Sequence, residues 1–259
     1  MDTTSLGDRM KSYERTTDHK IIKRIPIIIR IDGKNFSRLT KGFNKPFSDK
    51  FSKWMIHAMA YTASKLQGCV IGYTQSDEIT FVIRNDQSLE STSWFGNRIQ
   101  KISSITSSFT TLSFNDIMWR DLEGSKPFAA FDCRVFAVPN ITEAANCLVW
   151  RQNDCVKNSV STATYYEVSK KYGRGKTRKM MHGLNQKEQQ ELLFKLVSIN
   201  WSNYDEKYKN GIVTIKQDVK ITTKNGEAIR KRWIVESAPR FTSEEGKEWL
   251  YGIIDPKEE

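Results

Sequence analysis

Cys69-Val70-Ile71-Gly72-Tyr73 and Ile79-Thr80-Phe81-Val82-Ile83-Arg84 are two short apolar runs joined across Thr74-Gln75-Ser76-Asp77-Glu78. So short a link between strands admits only an antiparallel hairpin, because a parallel crossover needs about a dozen residues or more. Outward from this hairpin the chain reads as a helix and then a strand on each side. Upstream, Ser48 is placed to cap a helix running to about Leu66, with Phe51, Trp54, Met55 and Ala58 on one face. Before it, residues 26–31 form a buried, β-branched strand that stops at Asp32-Gly33-Lys34-Asn35. Downstream, a helical stretch covers residues 92–115 and a strand covers 131–138. The order strand, helix, strand, strand, helix, strand is that of a ferredoxin-like α+β fold, an antiparallel sheet with helices on one face. Many functions share that topology, so it decides none of them.

After Pro139 the texture changes. Residues 141–171 and 186–198 read as helices, 212–222 and 228–236 as strands, and 243–251 as a short closing helix. Asn225-Gly226 between those strands is a hairpin signal, since both central positions of a type I′ turn need positive φ. The reading is a sheet-based lobe over residues 1–140 and a helix-rich lobe over 141–259 that carries a C-terminal β-hairpin.

The chain has 259 residues, with 41 Lys and Arg against 30 Asp and Glu, a net charge of +11 that argues for a polyanionic partner. No apolar run approaches the ~20 residues that span a bilayer, which excludes a membrane-spanning helix. The N-terminal MDTTSLGDRMKSYER lacks the apolar centre of a signal peptide, so a cytoplasmic location is expected. Four cysteines without a Cys-x-x-Cys pair, and three histidines, exclude a zinc site of paired ligands and fit packing in a reducing compartment.

Two acidic positions are candidates for chemistry. In a ferredoxin-like sheet the first and third strands are central neighbours, so Asp32 at the end of one approaches Asp77 at the start of the other. Two carboxylates in a small volume repel unless a cation lies between them. Oxygen ligands of this kind suit Mg²⁺, which binds through one or two carboxylates plus substrate phosphates. That is the layout of two-metal phosphoryl or nucleotidyl transfer. Asp after a strand and Ser-Asp-Glu at a hairpin are equally ordinary turn chemistry. In Asp32-Gly33-Lys34-Asn35-Phe36-Ser37, the glycine allows close backbone approach and successive N–H groups can form an anion nest. Lys34 and Lys45 add positive charge for a triphosphate. Gly173-Arg174-Gly175-Lys176 lacks the spacing of a Walker motif and reads as a flexible basic turn.

Two basic clusters are candidates for RNA. Lys170, Lys171, Arg174, Lys176, Arg178 and Lys179 form the stronger, and Arg230-Lys231-Arg232 the second. Tyr172 and Trp233 beside them could stack on unpaired bases; the alternative is a pair of solvated faces.

The string Arg30-Ile31-Asp32-Gly33-Lys34-Asn35-Phe36, then Lys45-Pro46, then Gly72-Tyr73-Thr74-Gln75-Ser76-Asp77-Glu78, resembles the tRNA(His) guanylyltransferase family of 3′-to-5′ nucleotide-adding enzymes. Further matches follow in order: Ser108-Phe109-Thr110, Phe131-Asp132-Cys133-Arg134, Trp150-Arg151-Gln152-x-Asp154-Cys155, Glu191-Leu192-Leu193-Phe194, Ile199-Asn200-Trp201 and Tyr208-Lys209-Asn210-Gly211. The resemblance implies a polymerase-like palm followed by a helical, tRNA-binding lobe. It implies that Asp32 and Asp77, with the Gly33 carbonyl, hold two Mg²⁺ ions. It places Glu78 with them as a catalytic acidic residue. Asp32, Gly33, Lys34, Asn35, Phe36, Ser37, Ser76 and Asp77 become the site for ATP, GTP and other nucleoside triphosphates, and Lys45 the partner of 5′-end phosphates. It further implies a homotetramer.

Three places depart from the family pattern. Val156-Lys157-Asn158-Ser159 stands where eukaryotic members have His-Ile-Asn-Asn, Ser37 where the family has histidine, and Gln189 where it has lysine. These departures imply the "like" branch, associated with template-dependent repair of 5′-truncated tRNA. The alternatives are addition of a single guanosine to tRNA(His), a nucleotidyl cyclase, or a catalytically silent tRNA-binding protein.

Overall fold

Ile27, Ile29 and Ile31 are buried against one face of a sheet and Ile28 against the other, which is why the first strand reads as an unbroken apolar run. The structure, a computed structural model, describes residues 4–87, 90–124, 126–223 and 226–256. Along the chain the elements are α1 (Leu6–Arg15), β1 (Ile27–Gly33), α2 (Phe36–Leu39), α3 (Asp49–Lys65), β2 (Cys69–Gln75), β3 (Glu78–Ile83), α4 (Ile99–Asp121) and β4 (Phe131–Ala137). There follow α5 (Ile141–Tyr172), α6 (Arg174–Met181), α7 (Gln186–Val197), α8 (Glu206–Lys209), β5 (Ile212–Thr223), β6 (Gly226–Ser237) and α9 (Glu244–Ile254).

Among the described residues, six strands form one antiparallel sheet in the order β4-β1-β3-β2-β5-β6. Its first four positions are the ferredoxin-like order expected from the sequence. The C-terminal hairpin, assigned to the second lobe, joins this sheet: Ile212–Ile215 of β5 pair with Thr74–Ile71 of β2. From Lys216 onward β5 pairs only with β6, so the hairpin runs on past the end of β2. Lys224 and Asn225 lie outside the described residues, so the Asn225-Gly226 turn signal meets no described turn; the strands flanking it pair as expected.

Helices α3 and α4 cover one face, burying Trp54, Met55, Phe114 and Met118 against the odd-numbered side chains of β1. Helices α5 and α9 cover part of the other, with Leu148, Leu250 and Ile254 against Ile28, Ile71 and Val82. The single helical face thus belongs to α3 and α4, and the second lobe supplies the opposite layer. A third cluster, built on Val160, Ala163 and Leu193, joins α5 to α7.

Ser48 caps α3 by accepting a hydrogen bond from the Phe51 N–H at 3.3 Å. Two expectations need correction. The helix expected from residue 92 begins at Ile99, because Phe95, Gly96 and Asn97 all take left-handed φ values of 49°, 60° and 59°. It also continues to Asp121, whose carboxylate accepts from Lys53 and from the Trp54 indole. Of the expected basic turn Gly173–Lys176, only Gly173 is a turn, at φ 79°; Arg174 already opens α6.

Candidate active site

The C-terminal end of β1 and the β2–β3 turn come together at one edge of the sheet. Asp32 lies opposite Glu78 on β3 and opposite Asp132 on β4, and the Gly33 N–H donates to the Asp77 carbonyl at 3.0 Å. The turn is tighter than the sequence suggested, because Gln75 and Glu78 are already paired and only Ser76 and Asp77 connect them. Ser76 takes a left-handed φ of 50° there, and its hydroxyl donates to Asp77 Oδ1 at 3.2 Å. Burial, and then the charge of Asp32, push the Asp77 carboxyl above its ordinary range.

A cavity of about 490 Å³ opens beside these groups, a volume suited to a small organic ligand. Ser37, Lys45, Ser76 and Asp77 line its polar end. Phe36 forms part of its floor, packed against Phe51, Phe114 and Phe131 with ring centroids 4.9–5.9 Å away. Asp32 is half-buried at the strand end, and Gly33 is buried behind it. Lys34 and Asn35 are exposed on the connection to α2, with Asn35 at a left-handed φ of 58°. The Gly33 N–H is spent on the Asp77 carbonyl and the Lys34 N–H on the Ala130 carbonyl, at 2.8 Å, so the nest expected of successive amides is shorter by two. The first N–H groups of α2 remain without intrahelical partners.

A Cβ on Gly33 would collide with the Phe36 ring. Because Phe36 is clamped by three other rings, it cannot retreat. Gly33→Ala is therefore expected to cost about 1–3 kcal/mol of stability from overpacking, measured by urea denaturation, and to weaken nucleotide binding in parallel.

Glu78 lies opposite Asp32 and directly follows Asp77, next to both candidate metal carboxylates. It is 5% exposed and its carboxylate is engaged by two guanidinium groups. Arg151 Nε donates to one oxygen, and Arg30 Nε lies 3.3 Å from the other. Burial raises the Glu78 carboxyl while Arg151 and Arg30 pull it back. Arg151 also donates to Asp154 at 2.7 Å, and Asn158 donates to the same carboxylate at 3.0 Å. A polar chain thus runs from beneath the β2–β3 turn to Asn158, which lines the cavity. Glu78 fixes that chain in place of presenting a free oxygen.

Several cavity residues carried no role in the sequence reading. Phe47 stacks on Tyr208 at 4.6 Å and 9°, and Tyr166 lies under the Lys45 ammonium at 5.5 Å. Outside the cavity, Asp49 ties down two of its lining residues, accepting from Lys207 at 2.5 Å and from the Tyr208 hydroxyl at 2.7 Å. Phe47 follows Lys45-Pro46 and Tyr208 opens Tyr208-Lys209-Asn210-Gly211, motifs visible in the sequence, whereas Tyr166 lies in none of them.

The basic clusters are not brought to this cavity together. Lys170 and Lys171 end α5, and Arg174, Lys176, Arg178 and Lys179 follow on α6; all six are exposed. Lys171 and Lys176 lie over the half-buried Tyr172 ring at 5.4 and 5.5 Å. Arg230, Lys231 and Arg232 lie on β6 opposite Val219, Asp218 and Gln217, in the part of the hairpin beyond β2. Gln217 is five residue steps from Ile212 at the cavity, about 17 Å along the strand. Trp233 is partly buried against the core, with Lys216 over its ring at 5.1 Å.

Residues 7–139 match the family model described as tRNAHis guanylyltransferase, and residues 143–248 match the Thg1 C terminal domain. The chain belongs to the tRNAHis guanylyltransferase family. Members of this family are nucleotidyltransferases. A bacterial tRNA(His) guanylyltransferase (Thg1)-like protein solved in complex with ATP superposes with a TM-score of 0.82 at 34% identity, covering 97% of this chain and 100% of that one. The GTP complex of a bacterial Thg1-like protein gives a TM-score of 0.78 at 34% identity, with the same coverage of both chains. The probable tRNA(His) guanylyltransferase of Mus musculus is 28% identical over 200 residues, which are 74% of this chain and 65% of the mouse protein. Among the described residues of this family member, no helix is long and apolar enough to cross a membrane.

Proposed function

We propose that this chain adds nucleotides in the 3′-to-5′ direction to the 5′ end of tRNA, pairing each against the opposite strand, and so repairs 5′-truncated tRNA. The observation that carries the reading is the approach of Asp32 to Asp77, which lines a cavity that also holds Lys45 and an aromatic wall. Solved family members with ATP and GTP bound support a nucleoside triphosphate as its occupant.

The donor set fits Mg²⁺. Asp77 sits in a costly place for an anion, desolvated and beside Asp32, and a divalent cation between them removes that cost. No set of three or more His, Cys, Asp or Glu side chains among the described residues is arranged to hold a metal alone. Such a site suits an ion that takes its remaining oxygens from nucleotide phosphates. Asp32 and Asp77, with the Gly33 carbonyl, would hold the ions, whose chemistry is to lower the pKa of an attacking hydroxyl and offset charge on a transferring phosphate.

In the reaction proposed, the 3′-hydroxyl of the incoming nucleotide bonds to the 5′ phosphorus of the RNA, and pyrophosphate or adenylate leaves. Lys45, at the polar end of the cavity, balances phosphate charge. Phe47, Tyr208 and Tyr166 supply apolar walls for a base without reading its edge. Base choice then falls to pairing in the RNA. Glu78 and Arg151 act as positioning groups beneath Asp77. A homotetramer acting in the cytoplasm is the setting the family resemblance supports, and a solution mass of four chains is its test.

A tRNA lacking its first 5′ nucleotide, incubated with each nucleoside triphosphate in turn, tests templating. Extension only by the nucleotide complementary to the opposing base is expected. Addition of guanosine whatever the opposing base would instead support the tRNA(His)-dedicated reading, which the names of curated relatives favour.

A further inference from the structure

Trp150 stands out on α5. Its neighbours Leu148, Val156 and Val160 are buried in the core, whereas Trp150 is 52% exposed. A lone exposed tryptophan means little. This one, however, is held in place by charge. The guanidinium of Arg151 lies 4.3 Å from its ring centroid and that of Arg30 lies 5.4 Å away. Both arginines are anchored on Glu78, the residue that follows Asp77. The ring is thus oriented by groups fixed at the catalytic end of the sheet.

The surroundings continue that surface. Arg30 and Asp32 share one face of β1, two residues and about 7 Å apart. Arg134, opposite Arg30 on β4, is 58% exposed at its side chain, and Phe136 beyond it is 36% exposed. Asp132 adds one negative charge, 3.8 Å from Arg134. Trp150 does not line the nucleotide cavity, which takes Cys155, Asn158 and Tyr166 from later turns of α5. An exposed aromatic face among arginines, outside the nucleotide cavity yet close to Asp32, matches the chemistry of a nucleic-acid end. Stacking accepts any base, and arginines accept the backbone.

We propose that Trp150 is a stacking platform for the terminal base pair of the RNA acceptor end, setting its 5′ phosphorus against Asp32. The proposal rests on the function proposed above and names the surface that receives its second substrate. It makes Trp150 a positioning residue: it touches the RNA but not the reacting atoms.

The test uses an acceptor-stem hairpin carrying 2-aminopurine at its first paired 5′ nucleotide. Binding to the wild-type chain is expected to quench the fluorescence. Trp150→Ala abolishes the quench and raises the KM for RNA about tenfold, with the KM for nucleoside triphosphate unchanged. Trp150→Phe keeps most of both, which separates stacking from loss of a merely structural contact. ATP binding by each variant verifies that the site is intact. Quenching that survives Trp150→Ala, or a Trp150→Phe variant as weak as Trp150→Ala, overturns the platform while leaving RNA extension standing. A wild-type chain that binds no RNA overturns the platform together with the function it rests on.

Discussion

Asp77→Ala and Asp32→Ala are each expected to lower nucleotide addition by about 10³-fold, near the upper range for removing one electrostatic stabiliser from a reacting site, while RNA affinity stays within about twofold. The reasoning is that neither carboxylate has another structural task. Asp77 accepts from its neighbour Ser76 and from its own backbone N–H and lines the cavity, and Asp32 is half-buried at a strand end. The conservative Asp77→Asn variant separates chemistry from folding. Burial and Asp32 raise the Asp77 carboxyl in the folded chain, so the folded state binds this proton more tightly than the unfolded one. Its contribution therefore turns unfavourable as pH rises through the raised value. In neutral buffer without divalent cations, Asp77→Asn should melt at a higher temperature than the wild type. The difference should vanish in acid, where the wild-type carboxyl is protonated. Mg²⁺ with a nucleoside triphosphate should raise the wild-type Tm and leave that of Asp77→Asn nearly unmoved. Equal melting curves across pH would remove the argument for a strained carboxylate pair.

Arg151→Met has the second large effect. Glu78 and Arg151 form a buried pair with side chains 7% and 8% exposed, and deleting one partner strands the other charge. Such losses run to about 3–5 kcal/mol, and the lower end is expected because Arg30 still faces Glu78. The double variant Arg151→Met, Glu78→Gln removes both charges and should recover much of that stability in urea melts. It should not recover activity. Glu78 directly follows Asp77 and lies opposite Asp32, so a loosened pair misplaces the reacting groups, worth about 10²-fold in kcat per ångström of displacement. A double variant with full activity would reduce Glu78 to packing and remove it from the mechanism.

The order of the palm strands was legible because it rests on local signals. A short link forces the β2–β3 hairpin, and a period of two buries β1 on both faces. The juxtaposition of Asp32 and Asp77 followed from topology alone. What escaped the sequence depends on distant partners. The start of α4 was missed because three successive left-handed residues, Phe95 to Asn97, stop a pattern that otherwise reads as helical. Asn97 takes that conformation while its amide bonds to Asn85 and the Ile22 carbonyl. The nucleotide cavity's aromatic wall draws on Phe47, Tyr166 and Tyr208, which lie in three separate segments, so no local motif announces it. Glu78 looked like a free acidic residue because its partner Arg151 lies 73 positions further on. The partial burial of Trp233 escaped because a strand's alternation does not say which face the core will cover.

The fate of the γ-phosphate of the incoming nucleotide tests the central claim most directly. In 3′-to-5′ addition the incoming nucleotide attacks through its 3′-hydroxyl and keeps its own triphosphate, so a γ-labelled nucleotide leaves its label on the lengthened tRNA, where phosphatase removes it. The account predicts that label on the RNA, dependent on Mg²⁺ and absent with Asp77→Ala. On a tRNA lacking a single 5′ nucleotide, label released as pyrophosphate while the tRNA lengthens by one would mean growth in the ordinary direction and would contradict it.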